Sequence, residues 1–181
     1  CAHGGTTMKQ WSPQLQHEGT DKSLFAAMVR RFYCNGSHVR GMFWYQGCSE
    51  AMIDATAYFE KNMYDFFGEV RHIMGEDMPI VQVQIGNYTC PEKESLVQNW
   101  TGIRDKPRTL QDQIPYLDTV SAIGFENDDS IHLSSEAQKQ LGLHAAESMY
   151  RLICPDDNTV CLPAPRYKGH RVLSSWLDSY S

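Results

Sequence analysis

The sequence of 181 residues holds no Cys-x-x-Cys pair, no His-Glu-x-x-His block and no apolar run approaching the ~20 residues that cross a membrane. The first absence argues against a zinc ribbon or a thioredoxin-like redox site. The second argues against a helix-borne zinc hydrolase. Positive charge is also scarce. Lys and Arg number 16 against 22 Asp and Glu, a formal net charge of −6, so a nucleic-acid backbone is not the expected main partner. There is no internal repeat and no low-complexity tract. No basic region precedes an apolar stretch, so no signal peptide is visible. A chain that opens inside "CAHGGTT" reads as truncated, with any targeting information expected upstream.

What is present suits one globular domain. Hydrophobic residues make up 41% and charged residues 21%, enough for a chain of this length to bury roughly 70% of its unfolded surface. The six cysteines are Cys1, Cys34, Cys48, Cys90, Cys154 and Cys161. Cys154 and Cys161 flank the polar stretch "CPDDNTVC", either as a disulfide in an exported protein or as two loop thiols. A domain of this size has no need of a disulfide framework.

Helical and strand patterns alternate. "DKSLFAAMVRRFY" places Leu24, Met28 and Phe32 on one helical face, with Asp21 as a cap, and Asn35 with Gly36 ends it. "HVRGMFWYQG" reads as a short aromatic strand. "SEAMIDATAYFEKNMYDFFGEV" reads as one helix carrying Ala55, Phe59, Met63 and Phe66. "MPIVQVQIGNY" alternates Val81, Val83 and Ile85 against Gln82 and Gln84, a strand. "KESLVQNWTGIRDKPRTLQDQI" is helical on both sides of Pro107, and "YLDTVSAIGF" is a weaker strand. The final helix starts near Ser134 or Ser135, where Ser135 and Gln138 have capping-box spacing. Its apolar stripe of Leu141, Ala145, Met149 and Leu152 is expected to face the sheet. Strand–helix alternation predicts a parallel sheet with helices on both faces, with ligands at the carboxyl ends of the strands. The expected organisation is one domain over residues 1–153, then a linker and the start of a possible β-rich module over 154–181, where three prolines replace the helical period.

Three segments fall where strands turn into helices. In "DDSIHLS", two residues separate Asp129 from His132, a spacing that lets the carboxylate hold a ring nitrogen of the same His, as in a hydrolytic triad. The same spacing also describes a helix-start Asp beside a surface His. In "FWYQGCSEA", Gln46 and Gly47 end a strand. A side-chain amide there can donate to a developing oxyanion and Gly admits close substrate approach, or the pair is simply a polar turn. In "AHGGTT", Gly4 and Gly5 offer backbone N–H groups to an anion, or form a plain flexible loop.

Taken together and in this order, the blocks "GGTTMKQWSP", "RGMFWYQGCSEA", "VQIGNY" and "DDSIHLSSEAQKQLGLHAAESM" resemble the sialate O-acetylesterase and carbohydrate esterase family 6 group of SGNH hydrolases. The resemblance covers roughly residues 1–153. It implies a flavodoxin-like three-layer α/β sandwich around a parallel sheet, truncated at the N-terminus. The activity it implies is hydrolysis of acetyl esters of sugars, with no metal or organic cofactor. An acetylated sugar or polysaccharide would be the partner, with neither nucleic acid nor a membrane span, in a secreted, periplasmic or lysosomal-like setting. His132 would be the general base and then the acid, and Asp129 its orienting carboxylate. Gln46 would be the side-chain oxyanion donor, and Gly4 or Gly5 a backbone donor. Arg40 and Arg104 are expected to support structure.

The sequence departs from the family pattern twice. The Gly-Gln-Ser-Asn-like block that carries the nucleophile is missing, and Ser12, Ser37 and Ser49 lack its setting, so the serine is expected upstream. Many relatives carry Glu after Gln-Gly, where this chain has Cys48, itself a candidate nucleophile or a small buried hydrophobe. Two other function classes are weighed against the esterase: an inactive carbohydrate-binding or scaffolding relative, and a metal hydrolase using His132, His144 and acidic neighbours. Acetylxylan is the competing substrate on the same fold.

Overall fold

A computed structural model describes residues 1–17, 23–90 and 94–156. Asp21, Cys161 and the segment from 157 to 181 lie outside these described residues, and with them the Asp21 cap, the loop disulfide and the expected β-rich module. The elements run α1 (Gln14–His17), α2 (Leu24–Cys34), β1 (Met42–Trp44), α3 (Cys48–Met52), α4 (Thr56–Met74), β2 (Ile80–Gln84), α5 (Glu94–Gln113), β3 (Leu117–Ser121) and α6 (Ser135–Ile153). The three strands are parallel in the order β1-β2-β3, with Trp44 paired to Gln82 and Gln84 to Ser121. Parallel neighbours need long crossovers, and α4 and α5 supply them. The α/β class and parallel sheet read from the sequence are those observed.

Each face of the sheet has its own core. Val81, Val83, Val120 and Ala122 pack under α6 against Leu141 and Ala145, with Met149 and Leu152 at the margin, so the α6 stripe does meet the sheet. On the opposite face Phe66 of α4 is fully buried and touches the rings of Trp44 (4.4 Å), Phe25 (5.9 Å) and Trp11 (6.2 Å). These contacts fasten α2, α4 and the N-terminal segment to β1, and aromatic pairs of this kind add about 0.5–1.5 kcal/mol beyond their buried area.

The structure differs from the sequence expectation in three places. The helix expected from Ser49 onward is two helices. Asp54 takes φ 53°, and the N–H groups of Ile53 and Ala55 both donate to the Glu50 carbonyl, closing α3 before α4 begins. In β2 the Gln face is as buried as the Val face. Gln82 donates from Nε2 to the Pro107 carbonyl (2.7 Å) and to Thr119 Oγ1 (3.1 Å), and Gln84 Oε1 accepts from Ser121 (2.9 Å). The alternation that signals a half-exposed strand is here a central strand covered by α5 on its polar side. Finally, α6 is capped by Ser134, whose Oγ accepts from the N–H of Ala137, while Gln138 donates to the Leu133 carbonyl. No Ser135–Gln138 box forms.

Candidate active site

After β3 the chain makes a closed loop before α6. The Ser134 N–H donates to the Glu126 carbonyl (2.9 Å), the Asp128 N–H to the His132 carbonyl (2.8 Å), and Asn127 bridges Leu133 in antiparallel fashion. Asp129 organises the tip. Its Oδ1 accepts from the N–H groups of Ile131 and His132, each at 2.8 Å, and its Oδ2 from His132 Nδ1 at 2.7 Å. A carboxylate only accepts here, so Nδ1 carries the hydrogen and Nε2 is left with its lone pair. The His132 ring and the two N–H bonds hold the Asp129 carboxyl down at about 2, against an ordinary 3.8. The pair is open to solvent, the side chains of His132 and Asp129 being 69% and 54% exposed. Asp129 and His132 are therefore brought together in the orientation their spacing allows.

The loop is stitched to the end of the central strand. Thr89 donates from its N–H to the Ser130 carbonyl (3.1 Å) and from Oγ1 to the Asp129 carbonyl (3.2 Å), and Asn127 Nδ2 donates to the Asn87 carbonyl (2.9 Å). Trp100 Nε1 in turn donates to the Gly86 carbonyl (2.7 Å). Arg104 lies on α5 with its guanidinium toward Asn87, Nη1 donating to Oδ1 at 3.5 Å, while Arg40 is exposed.

At the end of β1 a second group assembles. Gln46 Nε2 donates to the Thr6 carbonyl (2.6 Å) and to Glu50 Oε2 (2.8 Å), and Glu50 Oε1 accepts from the Met8 N–H. Thr6 Oγ1 accepts from Trp11 Nε1 (2.9 Å). Gln46 thus stands beside the Gly4 and Gly5 loop. Both of its amide hydrogens already face acceptors of its own chain, so donation to an oxyanion requires sharing or releasing one of them. Gly4 and Gly5 are exposed, Gly5 at φ 67°, with no atom near the place of an added Cβ. Gly47 differs from its expected use. It is buried at φ 140°, and an added Cβ would meet Ile85 and Ile103 at 3.0 Å, so its missing side chain makes room for the core and not for a substrate.

Cys48 opens α3 half-buried, and its thiol is pushed up to about 11, chiefly by burial and further by the Glu50 charge, against a lowering hydrogen bond with Tyr45. At neutral pH it is a protonated thiol and a poor nucleophile. His144 lies against the ring of Phe125 at 5.6 Å. Among the described residues no three His, Cys, Asp or Glu side chains cluster to hold a metal ion, and no helix is long and apolar enough to cross a membrane. A groove of about 490 Å³, lined by Met8, Pro13, Lys61 and Tyr64 among others, contains none of the predicted site residues.

Sequence reasoning missed Glu50, Thr89 and Asn127. Glu50 had one available signal. It stands four residues after Gln46, but a carboxylate in a first helical turn ordinarily reads as a dipole partner.

A family model described as carbohydrate esterase, sialic acid-specific acetylesterase, matches residues 1–151. The chain belongs to that carbohydrate esterase family. It is 30% identical over 163 residues to the probable carbohydrate esterase At4g34215 of Arabidopsis thaliana, covering 85% of this chain and 55% of that protein. The X-ray structure of that plant protein superposes with a TM-score of 0.67 at 29% identity, over 85% of this chain and 60% of the other. XAC1771, a carbohydrate acetylesterase from Xanthomonas citri, shares the fold with a TM-score of 0.56 at 18% identity, over 65% of this chain and 27% of its own. The chain thus spans about half the length of the curated relative it matches.

Proposed function

We propose that the complete protein is a carbohydrate O-acetylesterase of the sialate O-acetylesterase type, working by a Ser-His-Asp mechanism whose serine lies upstream of this chain. The observation that carries the proposal is the bond from His132 Nδ1 to Asp129 Oδ2, at the carboxyl edge of a parallel sheet. It fixes the tautomer that leaves Nε2 free to take a proton.

In the proposed reaction the serine Oγ attacks the acetyl carbonyl carbon and gives its proton to His132 Nε2. The negative charge that builds on the carbonyl oxygen faces backbone N–H groups of Gly4 or Gly5, with Gln46 beside them. The bond from carbonyl carbon to sugar oxygen then breaks, and the sugar oxygen leaves with the proton held by His132. Water attacks the acetyl-serine, again losing its proton to Nε2, and acetate departs as serine regains it. Asp129 stays ionised throughout and stabilises the imidazolium.

The family description favours an acetylated sialic acid as substrate, with acetylated xylan as the competitor on the same fold. Such substrates fit an exported, periplasmic or lysosomal enzyme. The test is acetate release by the complete protein from O-acetylated sialic acid and from acetylxylan, with His132→Ala as control. Release that His132→Ala lowers by several orders of magnitude is the expected result. No release from any acetylated sugar would instead support an inactive carbohydrate-binding relative.

A further inference from the structure

We infer that Glu50 is a positioning residue of this site, and that with Gln46 it locks the loop of Gly4 and Gly5 against the end of β1. The inference rests on the acyl-transfer mechanism proposed above. Glu50 is 2% exposed, and both of its oxygens are engaged: Oε1 accepts from the backbone N–H of Met8, and Oε2 accepts from Gln46 Nε2 at 2.8 Å. Taking a carboxylate out of water is costly, and packing alone would be served as well by an apolar side chain. The two donors that Glu50 satisfies come from separate parts of the chain, one of them 42 residues away.

The glycine loop needs such an anchor. No atom lies within 4 Å of the place where a Cβ on Gly4 or Gly5 would sit, so nothing packs against the side-chain positions of the two candidate backbone donors. Thr6 Oγ1 closes the loop on itself by donating to the His3 carbonyl at 3.1 Å, and what ties it to the rest of the fold acts just downstream. Thr6 offers its carbonyl to Gln46 at 2.6 Å, Met8 offers its N–H to Glu50, and Trp11 Nε1 holds Thr6 Oγ1 at 2.9 Å. Gln46 spends one amide hydrogen on Thr6 and the other on Glu50. Glu50 therefore sets the rotamer of Gln46 and the path of the chain leaving Gly5, and through both the direction of the N–H groups presented to an oxyanion.

Two measurements test this. In the complete protein, Glu50→Gln keeps the shape of the side chain but turns one acceptor into a donor, facing either Met8 N–H or Gln46 Nε2. With 4-nitrophenyl acetate as probe, kcat should fall about 10- to 100-fold while KM stays within threefold, as expected when donors made for the transition state are misaimed. A kcat within twofold of wild type, or a change confined to KM, would overturn the assignment. The second measurement needs no variant and no activity. By amide hydrogen exchange, the Met8 N–H of the wild-type protein should be protected at least ~100-fold over its free-peptide rate, in keeping with a buried bond. Exchange at the free-peptide rate would overturn the tether even if Glu50→Gln fails to fold. A wild-type protein that hydrolyses no acetyl ester would sink the proposed reaction instead, and the Met8 exchange would still decide the anchoring.

Discussion

The 126–134 loop and the corner at the end of β1 stand at the same edge of the sheet, yet they are made in opposite ways. The loop is local. Asp129 binds two N–H groups and one ring nitrogen, all within three residues of itself, and the arrangement stays open to solvent. The corner is long-range. Gln46 reaches a carbonyl 40 residues away, and a buried Glu50 reaches an N–H 42 residues away. In the proposed mechanism, the group that shuttles protons is held by short-range bonds that survive exposure, and the group that aims backbone dipoles is held by the core.

If that contrast is right, the largest effect should come from the exposed half. Asp129→Asn in the complete protein would present an amide to Nδ1 and disturb the tautomer while leaving the fold intact, so kcat for acetyl ester hydrolysis should drop by about 10⁴-fold with little change in thermal midpoint. A loss of less than tenfold would show that another carboxylate orients His132.

The buried half should answer in stability instead. Gly47→Ala combines a φ of 140° with 3.0 Å approaches to Ile85 and Ile103, and should cost about 2–4 kcal/mol in denaturant unfolding. Gly5→Ala, at φ 67° in open space, should cost about 1 kcal/mol. Equal costs would mean that Gly47 is packed no more tightly than the open Gly5. Comparable in size is Ser134→Ala, which removes the cap that joins the loop to α6 and should cost about 1 kcal/mol.

The last prediction concerns acid. The Asp129 carboxyl titrates at about 2, below its ordinary 3.8. A depressed carboxylate contributes stability that is fully present above its unfolded value and is lost as pH falls through the folded one. The bond to His132 should thus persist at pH 4 and fail near pH 2, seen as the carbon-13 shift of the Asp129 carboxyl. A midpoint near 4 would mean that the pair is not formed in solution.

The same contrast explains what was legible beforehand. Asp129 and His132 were readable because their geometry is encoded in four consecutive residues. The helices and the parallel sheet were readable because periodicity in "DKSLFAAMVRRFY" or "HAAESM" reports on one face of one element. Glu50 was not, since its partner Met8 is brought to it only by the folding of the N-terminal segment onto β1. Nor was the break between α3 and α4, which turns on a single left-handed Asp54 in an otherwise helical pattern. Burial of Gln82 and Gln84 was hidden for a related reason. Their partners Pro107, Thr119 and Ser121 lie on α5 and β3, and strand alternation alone cannot show that the polar face is covered.

The central claim is that this chain supplies the base, its carboxylate and the oxyanion corner, while the nucleophile lies elsewhere in the protein. Labelling the complete protein with a fluorophosphonate and mapping the modified peptide tests it most directly. The account predicts a single labelled serine upstream of Cys1, with labelling lost in His132→Ala. A label on Ser12, Ser37, Ser49 or any other serine within the 181 residues would contradict it.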